Sequence, residues 1–361
     1  MESFAALPEQ DEAKRLLGAG LAEGPAHAYL FHGPAGVGKR AAALAFAARL
    51  IGERERVERL THPDLYVLEP LGDQIRIDDI RAMRRDLHLR PFEADRRVYL
   101  LLSAELMNED AADALLKDLE EPPEYATLIL VADELGPLPE TIRSRCQPVP
   151  FRRLTEGAVR ERIAEQAPGL SREEVTALAR VAGGRLDRVA RLLDPKGGER
   201  RAAVLDTARA VYAEDEFDPS AAAGVLVAAA AERGREARAA EEQALEHLDL
   251  PGREAEQRVR RAERGAEREE LLLMLDELGA WYRDLVAVAA GAAGVAVNAD
   301  RLDQLREDAT PERAIASEQA AELVREAWRA FEELNVQAGL ALEALFIRLR
   351  RALATGSLAT R

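Results

Sequence analysis

The sequence holds a single cysteine, Cys146, which excludes an internal disulfide and a multi-cysteine zinc site. Aromatic residues make up only 4% of it, so its cores must be built from Ala, Leu and Val, and the shortage tilts the expectation toward helix. Basic residues are outnumbered, 50 against 66 acidic, giving a net charge of −16. That argues against a free-standing nucleic-acid binder, which shows a basic footprint. It leaves open a basic stripe on one face, or an acidic member of a larger complex. Lysine is nearly absent: Lys14, Lys39, Lys117 and Lys196 stand against a large arginine majority. No apolar run reaches the ~20 residues of a membrane span; the longest runs from Leu285 to Val297. The first residues lack a basic segment followed by an apolar core, so no signal peptide is expected and the chain reads as cytoplasmic. Its histidines (His27, His32, His62, His88, His247) show no metal-ligand spacing.

What is present fits two or three domains in 361 residues. Over the first ~150 residues, strand and helix signals alternate. Ala28–Phe31, Arg97–Leu102 and Thr127–Ala132 read as buried strands, and Arg40–Leu50 and Asn108–Glu120 as helices. Asn108 is placed to cap its helix, Glu109 and Asp110 suit the positive end of the dipole, and Pro122-Pro123 stops it. Ala111, Leu115, Leu116 and Leu119 form its apolar stripe. Strands alternating with helices imply a parallel sheet covered on both faces. Beyond Leu154 only helical signals remain. Ser171-Arg172-Glu173-Glu174 is a capping-box pattern, and Gly183-Gly184 ends its helix. A further helix is expected over Arg185–Leu193, and Pro195–Gly198 reads as a hinge or linker. Ala231–Glu270 is expected to form one long solvated helix laced with i,i+4 ion pairs. Thr310-Pro311-Glu312 starts another helix, and Asn335 caps the last, whose buried face is Leu342, Leu345, Phe346 and Leu349.

The sharpest motif is Gly33-Pro34-Ala35-Gly36-Val37-Gly38-Lys39-Arg40. In a G-x-x-x-x-G-K-[ST] loop, glycines let successive N–H groups point at phosphate oxygens, and the helix that follows adds its positive N-terminus. The lysine reaches the β/γ-phosphates and the Ser/Thr hydroxyl ligates Mg²⁺. Gly33, Gly36, Gly38 and Lys39 are therefore the candidate phosphate-binding residues. Arg40 stands where the hydroxyl belongs. A phosphate-loop ATPase also needs an acidic end to a nearby strand. After Arg97–Leu101 the chain offers Leu102 and Ser103, and Glu105 comes two or three positions late. In an extended strand a one-residue shift reverses the face. Both magnesium-handling groups are thus expected to be missing, and most of the catalysis with them.

His27–Phe31, the glycine loop, His62-Pro63-Asp64, Asn108–Pro123 (NEDAADALLKDLEEPP) and Leu138–Gln147 (LPETIRSRCQ) resemble the AAA+ clamp-loader family of bacterial DNA polymerase III, most of all its delta-prime branch. The likeness covers residues ~25–150 well; Gly183-Gly184 and the stretch Asn335 to Leu345 match more loosely. It implies an α/β P-loop AAA+ core with a parallel sheet over 1–153. A small helical lid over 154–198 and an all-α collar over 199–361 that joins subunits into a ring would follow. It implies a stator that does not hydrolyse ATP, needs no cofactor and helps load the sliding clamp onto primed DNA as part of a DNA polymerase holoenzyme. The implied partners are ATPase subunits of the tau/gamma type, the delta subunit, the clamp, and DNA within the complex only, with no membrane. Arg145, between Ser144 and Cys146, would be an arginine finger given in trans to a neighbour's nucleotide, worth ~10³–10⁵ in rate; Arg143 is the alternative. Arg188 stands either near nucleotide or in a salt bridge. Weak ATP, ADP or anion binding at the loop stays open. Relatives that carry a four-cysteine zinc module have it where Gly52–Leu60 lies here, without a cysteine, so no zinc or other metal is expected. The competing reading is an active AAA+ ATPase, such as a motor subunit of the same machine.

Overall fold

The computed structural model describes residues 4, 7–70, 74–245, 252–334 and 336–355. The chain divides into two units, one of residues 1–159 with 184–187 and the other of residues 160–183 with 188–361.

The first unit is built on five parallel strands: β1 (Ala28–His32), β2 (Leu65–Leu68), β3 (Arg97–Leu101), β4 (Ala126–Ala132) and β5 (Gln147–Pro150), in the order β2-β3-β4-β1-β5. Their helices are α1 (Asp11–Glu23), α2 (Lys39–Ile51), α3 (Arg54–Glu58), α4 (Ile77–Leu87), α5 (Glu109–Glu120) and α6 (Glu140–Arg143). Alternation along the strands feeds two cores, because successive side chains leave opposite faces. Tyr29, Phe31, Val98, Leu100, Ile129 and Val131 meet α1 and α2 on one face. Leu30, Tyr99, Leu101, Leu128 and Leu130 meet α4, α5 and α6 on the other. This is the expected α/β core with a parallel sheet. The Asn108 side chain accepts from the Ala111 N–H at 2.9 Å and starts α5 as the sequence indicates. The charged segment Gly52–Leu60 holds the short helix α3.

The matched segment His62-Pro63-Asp64 has a structural use. Asp64 is 1% exposed and its carboxylate accepts from the N–H groups of Phe92, Glu93 and Ala94 at 2.7–2.9 Å. Burial opposes its ionisation, but those three donors and Arg97 outweigh it and hold its pKa below the ordinary value.

The second unit is helical. α7 (Glu156–Gln166) and α9 (Leu186–Leu193) each span a boundary between the units; α8 (Arg172–Ala182) lies within the second. The Ser171 capping box forms at the start of α8, and Gly183 closes it in the left-handed region. Then follow α10 (Pro195–Ala213), α11 (Pro219–Leu245), α12 (Gly252–Ala289), α13 (Leu302–Asp308), α14 (Pro311–Glu333) and α15 (Ala338–Thr355). One core joins Val204, Leu226, Leu278, Trp281, Phe346 and Leu349. The expected face Leu342, Leu345, Phe346 and Leu349 is fully buried.

Two expectations are corrected here. Pro195–Gly198 is not a linker: Asp194 caps α10 by accepting from the Gly197 N–H at 2.9 Å, and Pro195 takes the first helical position, where its missing N–H costs nothing. Ala231–Glu270 is not one helix. α11 and α12 run antiparallel, with Arg238 facing Glu263 at 3.4 Å and Glu241 facing Arg258 at 3.1 Å. The anticipated i,i+4 pairs are present within each, at Arg238–Glu242 and Glu256–Arg260. Asn335 lies outside the described residues. Among the described residues no helix is long and apolar enough to cross a membrane.

Candidate functional site

The sheet order sets the site. β1 lies between β4 and β5, so the loop after β1 emerges at the carboxyl end of the sheet, where open α/β folds bind ligands. Gly33, Gly36 and Gly38 all have positive φ, which curls Gly33–Gly38 into the start of α2. At Gly33 the need is double, since a Cβ there would strike the Phe151 carbonyl after β5. The four residues named from sequence, Gly33, Gly36, Gly38 and Lys39, are together in one loop.

The lysine is already engaged. Lys39 is 4% exposed. Its ammonium donates to the Gly33 carbonyl at 2.5 Å and the Pro34 carbonyl at 2.6 Å, and pairs with Asp133 Oδ1 at 2.6 Å. An ammonium has three N–H donors, so this chain's own atoms take all of them. Asp133 arrives there by register. His32 pairs with Ala132 across β1 and β4, so the residues that follow, Gly33 and Asp133, leave the sheet side by side. Arg40, in the place of the metal-binding hydroxyl, pairs with Glu69 at 2.6 Å.

Glu105 requires a correction. Strand parity was expected to carry it away from the site. Instead β3 ends at Leu101, Ser103 takes a left-handed conformation at φ 51°, and Ala104–Leu106 form a 3₁₀ turn. Parity no longer applies after that turn, and Glu105 comes into the field of both Asp133 and Lys39. Burial raises its pKa above the ordinary value, against the pull of the Glu105 and Asp133 backbone N–H groups. Its Oε2 is buried without a hydrogen-bond partner.

A third carboxylate stands on the loop itself. Asp187 packs so closely on Gly36 that a Cβ there would collide with it. Arg185 grips that carboxylate with both arms, Nε to Oδ1 at 3.1 Å and Nη2 to Oδ2 at 2.5 Å. The Leu186 N–H donates to the Gly36 carbonyl at 2.7 Å. A Cβ at Gly38 would meet Leu7 Cδ1 at 2.8 Å and Leu186 Cδ1 at 3.9 Å. The residues do not fit a magnesium nucleotide: the lysine is spent, the hydroxyl is replaced, and the glycines are covered.

The remaining candidates lie apart from the loop. Arg145 is exposed after α6, donating to the Thr141 carbonyl at 2.9 Å and pairing with Glu120 at 2.5 Å. Arg143 is exposed at the end of α6. Cys146 is 6% exposed, and burial pushes its thiol up to about 12. Arg188 pairs with Asp276 of α12. Glu53, His62 and Glu93 offer ligand atoms within 4.8 Å of one another, but Arg56 pairs with both carboxylates, at 3.1 and 2.6 Å. Asp133, Asp187 and Glu120 are the site residues that sequence reasoning missed. Only Asp133 left a signal, as the first polar residue after the strand expected over Thr127–Ala132.

Residues 9–155 match the protein family described as DNA polymerase III, delta subunit. The chain is 36% identical over 152 residues to DNA polymerase III subunit delta' of Bacillus subtilis, covering 39% of this chain and 46% of that one. It is 37% identical over 196 residues to the delta' subunit of Pseudomonas aeruginosa, covering 50% and 60%. The chain thus spans about half the length of the curated relatives it matches. A DNA polymerase III gamma subunit-related protein from Thermotoga maritima shares the fold at a TM-score of 0.51 and 18% identity, over 95% of this chain and 99% of that one.

Proposed function

From a chain whose residues 9–155 match the DNA polymerase III delta family and resemble its delta' subunits, we propose a clamp-loader subunit that does not hydrolyse ATP and serves the ATPase site of a neighbour. One observation carries this reading. The Lys39 ammonium is consumed by Gly33, Pro34 and Asp133, while Arg40 replaces the hydroxyl that would hold magnesium. Phosphoryl transfer rests on positioned positive charge, so a spent lysine and a missing metal site leave little catalysis.

In this reading the core (1–153), lid (154–198) and collar (199–361) take their places in a hetero-oligomeric ring with tau/gamma-type ATPase subunits and a delta subunit. The ring loads the sliding clamp onto primed DNA, in the cytoplasm. The chain's acidity, −16, suits DNA contact only within the assembly. Arg145 is the group given in trans. Its pair with Glu120 joins side chains 35% and 50% exposed, and such pairs are worth about 0–1 kcal/mol. An arginine finger is worth ~10³–10⁵ in rate, about 4–7 kcal/mol. The stabilisation it would give a neighbour's transition state therefore outweighs the tether to Glu120. Arg188, paired with Asp276, is not assigned a nucleotide contact.

Glu105 favours the second reading, an active ATPase, because its carboxyl lies near Lys39. It does not replace the hydroxyl or release the lysine, and burial works against its ionised form. The test is turnover by the purified chain with Mg-ATP. The proposal expects background rates, unchanged by Lys39→Ala. Steady hydrolysis that Lys39→Ala abolishes overturns it in favour of the motor reading.

A further inference from the structure

The three residues Arg185-Leu186-Asp187 lie on the phosphate-type loop in the way a ligand would. A phosphate cradle works because glycine lets an anion come up against the backbone. At Gly36 that approach is taken by the Asp187 carboxylate, which itself carries the charge sign of a phosphate. At Gly38 it is covered by Leu7 and Leu186. The plug is fastened twice. Leu186 bonds the Gly36 carbonyl at 2.7 Å, and Arg185 holds the carboxylate bidentately, which fixes its orientation. The surroundings add to the effect. With Lys39 paired to Asp133 and Glu105 nearby, a nucleotide's phosphates would meet three acidic side chains around one neutralised lysine.

We propose that Asp187 is an exclusion residue: its carboxylate occupies the approach to Gly36 that nucleoside polyphosphates require, so the chain keeps the shape of a phosphate loop but rejects its ligand. This deepens the non-hydrolysing reading and rests on it only in taking Gly33–Lys39 as a phosphate-type loop. The glycines then have a use without nucleotide, since Gly36 admits the plug and no other residue would. Removing the carboxylate removes both the obstruction and one like charge. The gain in affinity is about tenfold or more, the equivalent of one charge-assisted hydrogen bond that nucleotide no longer has to displace.

The experiment titrates the full-length chain with a fluorescent ADP analogue, competed by unlabelled ATP. Asp187→Ser is expected to bind at least about tenfold more tightly than wild type. Asp187→Asn, which keeps the shape and loses the charge, moves in the same direction and guards against a folding defect in the serine variant. Wild type binding as tightly as both variants overturns the proposal, as does a failure of both folded variants to bind better than wild type. Neither result depends on Arg145, whose role is read from a neighbour's ATPase, so the two proposals fail separately.

Discussion

Asp64→Ala removes one buried carboxylate on which a whole loop is hung. Three backbone N–H groups, those of Phe92, Glu93 and Ala94, lose their acceptor at once. A hydrogen bond to a charged group is worth about 1.5–3 kcal/mol, but three that share one carboxylate do not add fully. Phe92 and Glu93 are exposed, so water replaces part of the loss. Arg97, 3.8 Å from Asp64, keeps its 2.7 Å pair with Asp86 and is not stranded. The expected cost is about 3 kcal/mol to the first unit. The assay exploits the placement of the chain's two tryptophans, Trp281 and Trp328, both in the second unit. Tryptophan emission follows that unit alone, whereas circular dichroism follows both. In urea the tryptophan transition should stay in place, while the rest of the dichroism change moves down by about 1–2 M. The pH dependence has a definite sign. A folded pKa below the unfolded one gives stability that is complete above the unfolded value near 4 and is lost as pH falls through the folded value. The gap between wild type and variant should therefore be full at neutral pH and close in acid. An unchanged midpoint, or a gap that persists undiminished in acid, refutes the reasoning.

Other consequences are smaller or simpler. Gly33→Ala forces a Cβ against the Phe151 carbonyl at a φ of +135°, and should lower the first unit's stability by about 2 kcal/mol or more, read from the same urea curves. Cys146, buried and with its thiol pushed up to about 12, should resist alkylation in the native chain and react fully in denaturant; rapid native labelling would contradict the packing. Glu120→Gln breaks only an exposed pair and should shift stability by less than about 1 kcal/mol, by denaturant titration.

Much of the fold was legible because its signals are local. Asn108 and Ser171 cap helices through bonds spanning three residues, and the glycine loop announces its own conformation. Pro195–Gly198 misled because proline and glycine mark linkers and helix starts alike; Asp194, one residue earlier, decides between them. α11 ends at Leu245 and α12 begins at Gly252, inside a stretch dense in Arg and Glu that reads as continuous helix. Glu105 misled because counting by twos assumes an extended chain, and Ser103 ends that extension with one left-handed residue. Asp187 was beyond reach, since it meets Gly36 across about 150 residues of sequence and only the fold brings them together. The same holds for Glu120 and Arg145, which meet across 25 residues.

The central claim, that this chain lends chemistry to a neighbour rather than performing its own, is tested most directly by Arg145→Ala in a complex reconstituted with tau/gamma-type ATPase subunits. Assembly should be normal by size-exclusion chromatography, because Arg145 gives its own fold an exposed ion pair with Glu120 and one exposed hydrogen bond to the Thr141 carbonyl. ATP hydrolysis at the adjoining subunit should fall by about 10³-fold or more, with Arg143→Ala close to wild type. Undiminished hydrolysis in a fully assembled Arg145→Ala complex would contradict the account.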